Sequence, residues 1–197
     1  MGFVGRLAAR PYHDENWNLH AGFSGQTVFH PQHQRQRHAW GKRHHDLSRG
    51  DQPELRIDFN KLIDTGSLSA SGASVYGGEL GLGWLNLMVQ GEYYQAKLSQ
   101  MPAPRLGSNG GYVEGGWVMT GERIPDDAAR AAWGRPKVDR PFSLADGGIG
   151  AWELAARYST VSLNSNVAAV VSESVTGGIF GGQQQIAALA LSWYPND

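Results

Sequence analysis

The stretch Y-G-G-E-L-G-L-G-W-L-N-L-M-V-Q-G-E-Y-Y, Tyr76 to Tyr94, decides the fold class. Its first half alternates: Tyr76, Gly78, Leu80, Leu82 and Trp84 fall on one side, Gly77, Glu79, Gly81 and Gly83 on the other. Its second half sets Leu87, Val89, Gly91 and Tyr93 against Met88, Gln90, Glu92 and Tyr94. A period of two belongs to a β-strand, whose successive side chains point to opposite faces. Only Leu85 and Asn86 separate the halves, so the spacing predicts a tight hairpin.

The same alternation recurs along the chain. It marks strands at Val4–Arg10, Trp17–Phe29, Leu55–Lys61, Gly111–Gly121, Ile149–Leu163 and Gln184–Tyr194, while the second half of the hairpin continues to Leu98. That gives about eight strands in one domain over 1–197. The one candidate for a helical turn is Ala128 to Trp133, inside a charged, Pro-containing loop.

Composition narrows the class. The chain has 197 residues, 27 Gly and 7 Trp, 41% hydrophobic and 10% aromatic residues, which is too much burial-seeking surface for a disordered tail. Glycine shows no G-X-Y period, so collagen is excluded. No cysteine occurs, which removes disulfide frameworks and thiolate chemistry. A formal charge of −1 argues against a nucleic-acid partner. Residues 1–12 contain no apolar segment of secretory length. The longest nearly apolar run, Ile186 to Leu191, falls far short of the roughly 18 residues of a spanning helix.

Faces and connections point to a membrane barrel. Long connections are expected at about 30–52, 123–148 and 164–182, alternating with short ones around Asp14, Leu85 and Pro195. Outer-membrane barrels show this asymmetry, and their tilted strands need about 9–11 residues. One face carries Leu, Val, Ala, Gly and rings near strand ends (Trp84, Trp117, Trp152, Tyr158, Trp193, Tyr194), as interfacial girdles do. The other face carries Arg, Glu, Gln, Asn and Ser, which suits a wet lumen. A soluble sandwich would also alternate, but its apolar side runs to Val, Ile and Leu rather than Gly and Trp. On this reading glycine stands for thin, lipid-facing strands and their turns.

Several motifs carry a family resemblance. G-A-W-E-L-A-A-R-Y-S (Gly150–Ser159), G-Y-V-E-G-G-W-V-M-T-G-E (Gly111–Glu122), Y-G-G-E-L-G (Tyr76–Gly81), G-E-Y-Y (Gly91–Tyr94) and S-W-Y-P-N (Ser192–Asn196) stand in order at believable spacing. Together they resemble the phosphate-selective porin O and P family over most of the chain beyond Val75, and V-G-R-L-A-A-R-P near the start fits a family strand. G-R-P-K-V-D-R-P-F (Gly134–Phe142) looks like the family's large loop. The resemblance implies an antiparallel transmembrane β-barrel of about 16 strands in the Gram-negative outer membrane. It also implies a homotrimer that passes phosphate and other small anions through a basic constriction, in contact with lipid and lipopolysaccharide. With about half those strands, the chain is expected to be the middle and later part of such a barrel. A complete eight-stranded barrel is the alternative.

An anion pore selects with rings or ladders of Arg and Lys. The alternation turns Arg6, Arg10, Arg56 and Arg157 toward the lumen, against Asp58, Glu79, Glu92, Glu114 and Glu153, so the wall is not clearly positive. Glu153 and Arg157 are expected to pair across neighbouring strands rather than join a phosphate ladder. The strongest charge feature is His33 to Gly50, with Arg35, Arg37, Lys42, Arg43 and Arg49 against a single acid, Asp46. It would draw phosphate to the mouth or form the constriction, or else lie outside as a solvated loop. Its histidines, including His33, His38, His44 and His45, are irregularly spaced, so no metal site is expected. A second basic loop holds Arg123, Arg130, Arg135, Lys137 and Arg140, diluted by Asp126, Asp127 and Asp139.

No P-loop motif and no spacing for a hydrolytic triad occurs, so neither enzyme chemistry nor a cofactor is expected. Three readings remain. The first is a passive, anion-preferring outer-membrane porin with phosphate or polyphosphate as its favoured solute. The second is a non-conducting barrel with a structural or interaction role. The third is an extracellular soluble β-protein with a basic, His-rich loop.

Overall fold

The computed structural model describes residues 1–29, 46–51, 63–69, 71–99, 105–127, 132–166 and 179–197. Eleven strands run in chain order: β1 (Gly2–His13), β2 (Trp17–Phe29), β3 (Asp46–Asp51), β4 (Ile63–Ser69), β5 (Gly72–Trp84), β6 (Leu87–Ser99), β7 (Leu106–Val118), β8 (Asp126–Asp127), β9 (Ala132–Trp133), β10 (Ala151–Ser162) and β11 (Gln183–Tyr194). Seven of them form one sheet in the order β1-β2-β5-β6-β7-β10-β11, antiparallel at every step. The β3–β4 and β8–β9 pairs are separate two-stranded ribbons.

Alternation and hydrogen bonding agree on the register. The hairpin read from the sequence forms as expected, pairing Trp84 with Leu87 and running to Gly72 opposite Ser99. Leu85 takes φ 55° in its turn, the left-handed conformation that two-residue hairpin loops require. The turn is anchored on both flanks: Leu85 N–H donates to the Asn16 carbonyl, and Asn86 Nδ2 to the Val118 carbonyl at 2.8 Å.

Seven of the strands expected from the sequence are present, most of them longer than the alternation alone indicated. The strand at Leu55–Lys61 lies outside the described residues. The Gly111–Gly121 expectation shifts toward the N-terminus, since β7 begins at Leu106 and ends at Val118. The helical turn over Ala128–Trp133 is corrected at its described end. Ala132 and Trp133 are extended and pair with Asp127 and Asp126, which satisfies backbone groups that a single helical turn leaves open.

The sheet is apolar on its outer face and polar on its inner face. Outward Leu80, Val89, Val113, Leu189 and Leu191 are all exposed, Leu189 by 74%. Buried hydrophobic clusters are small among the described residues. One joins Leu98 and Leu106, the other Val118, Val138 and Ala151 with Ile124 and Tyr194 packed against it. A soluble sandwich would cover its apolar face with a second layer; among the described residues this sheet leaves that face exposed, as a lipid-facing wall does.

Aromatic rings gather at one end of the outer face. Trp17 stacks on Trp84 at 5.5 Å and Trp152 on Trp193 at 5.7 Å, with Trp117 exposed between them. Phe3 and Phe29 meet edge to face at the opposite end. Strands of 12–13 residues span about 40 Å at 3.3 Å per residue, enough to cross the apolar band with a tilt and reach both interfaces.

The antiparallel order brings the facing ends of β1 and β2, of β5 and β6, and of β7 and β10 to the Trp-rich end. The described residues of the 119–150 connection return from there over the polar face.

Candidate functional site

The inner face is a net of paired charges spanning several strands. Arg6 on β1 reaches across β2 to Glu79 on β5, with Nη2 to Oε1 at 2.5 Å. Gly22 lies between them, and a Cβ there would press on the Glu79 carboxylate, so the bridge in this geometry uses the space that glycine leaves. Further along, Arg157 on β10 bonds Glu114 on β7 at 2.6 Å and lies over the Tyr112 ring at 3.6 Å from its centroid. Gln90 donates to the same Glu114, and the Tyr94 hydroxyl to Glu92. Glu153 accepts from the Tyr194 hydroxyl at 2.7 Å.

The 119–150 connection lies on this net. Trp133 sits on the inner face with its ring 5.3 Å from that of His20, and a Cβ on Gly83 would come within 2.7 Å of the indole. Arg10 Nη1 bonds Asp126 Oδ2 at 3.1 Å, tying the connection to β1. The contact depends on a bulge in β1, where Arg10 and Pro11 together oppose His20. Pro11 has no N–H to lose from the ladder, and the bulge re-aims Arg10. Val138 and Ile124 pack the connection against Val118 and Ala151. Arg123 caps the β1–β2 turn by donating to the Glu15 carbonyl and to Asn16 Oδ1.

Between connection and wall a cavity of about 450 Å³ remains, lined among others by Arg6, Glu79, Glu92, Trp133, Arg135 and Glu153. Arg135 has no carboxylate at ion-pair distance among the described residues. Beside the cavity, both amide atoms of Asn18, His20 Nδ1, Trp133 Nε1 and Asp126 Oδ1 are buried without hydrogen-bond partners among the described residues. Buried polar atoms are normally satisfied, so this layer between connection and sheet calls for water or solute.

The sequence-level candidates divide accordingly. Arg6, Arg10 and Arg157 do lie on the polar face, each bound to a carboxylate. Arg157 pairs across strands with Glu114, while Glu153 takes Tyr194 instead. Arg35, Arg37, Lys42, Arg43 and Arg56 lie outside the described residues. No group of three or more His, Asp or Glu able to hold a metal occurs among the described residues. Trp133 was missed as a wall residue; its signal was a large aromatic stranded in a charged loop. The inward glycines correct the lipid-facing reading in part: Gly22, Gly81, Gly83 and Gly116 make room for Glu79, His20, Trp133 and Glu153.

An exposed apolar exterior, an aromatic girdle, a charged interior and an inward connection together describe the wall of a channel. No curated protein matches the chain significantly. The model of the family described as phosphate-selective porin O and P matches residues 1–197. The protein therefore belongs to the phosphate-selective porin O and P family of outer-membrane β-barrel channels.

Proposed function

We propose that the chain forms part of a passive channel for phosphate, polyphosphate and other small anions, driven by the solute gradient, in which the 119–150 connection narrows the lumen. The observation that carries this reading is the fold of that connection onto the polar face, which places Arg135 in the cavity opposite the paired wall. Arg6, Arg10 and Arg157 are each balanced by a carboxylate, so the wall alone gives little net attraction for anions. Arg135, with no carboxylate at ion-pair distance among the described residues, supplies the connection's positive charge to a cavity whose wall also carries Glu92 and Glu153, and the low-dielectric surroundings strengthen its field. Lys137 and Arg140 continue the basic run. By the usual asymmetry of these barrels, the tight-turn end is periplasmic and residues 30–71 face outside. Arg35, Arg37, Lys42 and Arg43 are then the outer collectors of anions, before Arg56 and the wall. In this reading the assembled barrel is a homotrimer in a Gram-negative outer membrane, its outer face in lipid and lipopolysaccharide.

The test is ion selectivity in a planar bilayer. Arg135→Ala is expected to move the zero-current potential in a salt gradient toward cation preference, with conductance retained. An unchanged potential would remove Arg135 from the selective path. The apolar packing of Val138 on Val118 also suits a permanent plug, the non-conducting alternative. Absence of conductance from inserted protein would favour that plug.

A further inference from the structure

Away from the 119–150 connection, the polar face holds a second cavity. It measures about 280 Å³ and is lined, among others, by Tyr94, Ser108, Tyr112, Arg157, Ser159 and Gln184. Gln184 is only 8% exposed, yet neither its amide Nε2 nor its Oε1 has a hydrogen-bond partner among the described residues. A buried amide with donor and acceptor both unmade is costly, and native structures seldom tolerate it without water or ligand.

We propose that this cavity is a binding subsite for a neutral, polyhydroxylated solute of sugar chemistry. The amide of Gln184 presents a donor and an acceptor side by side, which matches a pair of vicinal hydroxyls, each able to give and take a hydrogen bond. Ser108 and Ser159 add hydroxyls of the same dual character. No carboxylate lines the cavity among the described residues. Its one cation, Arg157, is neutralised by Glu114 at 2.6 Å and stacked on Tyr112, so the site carries no surplus charge to favour an anion. Tyr94 and Ile186 offer apolar surface for the C–H faces of a sugar ring. The volume falls just below the roughly 300–1,000 Å³ typical of small-molecule sites, which limits the ligand to about one ring.

Calorimetric titration of the full chain in detergent with glucose, and separately with inorganic phosphate, tests the proposal. Glucose is expected to bind saturably, with phosphate failing to compete. Gln184→Leu is expected to weaken glucose binding at least about tenfold, the cost of removing both amide partners. Ser108→Ala, a smaller change on β7, two strands from β11, is expected to weaken it several-fold and serves if Gln184→Leu does not fold. Absence of glucose binding by the unaltered chain would overturn the proposal and leave the cavity to ordered water. Equal glucose affinity in a folded Gln184→Leu variant, or competition by phosphate, would overturn it too. None of these results depends on whether the channel selects anions.

Discussion

Glu114 shows how one side chain sets the electrostatics of the wall. It accepts from Gln90 and from Arg157, so its charge is spent on neutralising a guanidinium that would otherwise face the lumen. Glu114→Gln keeps the size and the neighbours but frees that positive charge. The expected outcome is a zero-current potential shifted further toward anions, while unfolding stability changes by only about 0–1 kcal/mol, as for partly exposed ion pairs. Asp14 makes a different prediction in the β1–β2 turn. It accepts from the Tyr12 hydroxyl at 2.6 Å and from the backbone N–H of Trp17 and Asn16, which holds its carboxyl below the usual 3.8. A folded value below the unfolded one gives stability that is present above the unfolded value and lost as pH falls through the folded one. Denaturant unfolding of Asp14→Asn should therefore differ from the unaltered chain near neutral pH and converge with it as pH falls through the lowered carboxyl value.

Among the elements, the 119–150 connection is the one proposed to narrow the interior. Trp133 rests where Gly83 lacks a side chain, so Gly83→Val would drive a methyl into the indole and lift the connection from the wall. Single-channel conductance is expected to rise in Gly83→Val and in Trp133→Ala alike; a fall in both would show that the connection does not restrict the pore. The strands themselves were legible because their period of two is local and each pleat repeats it. Gly22, by contrast, could not be assigned its role from sequence, because the Arg6–Glu79 bridge it clears joins residues 73 positions apart. The inward path of the connection was hidden for the same reason. Its anchors, Asp126 to Arg10 and Val138 to Val118, are tertiary contacts that no periodicity reports. Arg135 was visible as one of several basic loop residues, and only the fold separates it from the rest.

At the scale of the whole molecule, an apolar exterior and a charged interior make sense only with lipid outside and water inside. The girdle of Trp17, Trp84, Trp117, Trp152 and Trp193 then marks one membrane interface, while Trp133 lies in the lumen. Brominated lipids should quench the girdle and spare Trp133, so a variant retaining only Trp133 is expected to lose far less fluorescence than one retaining only Trp84. Membership of a phosphate-selective family and the proposed role of Arg135 both call for a preference for anions. The most direct test is the zero-current potential of the chain inserted in a planar bilayer with a potassium chloride gradient. The account predicts a potential with the sign of chloride permeation, reduced by Arg135→Ala; a potential with the sign of potassium permeation would contradict it.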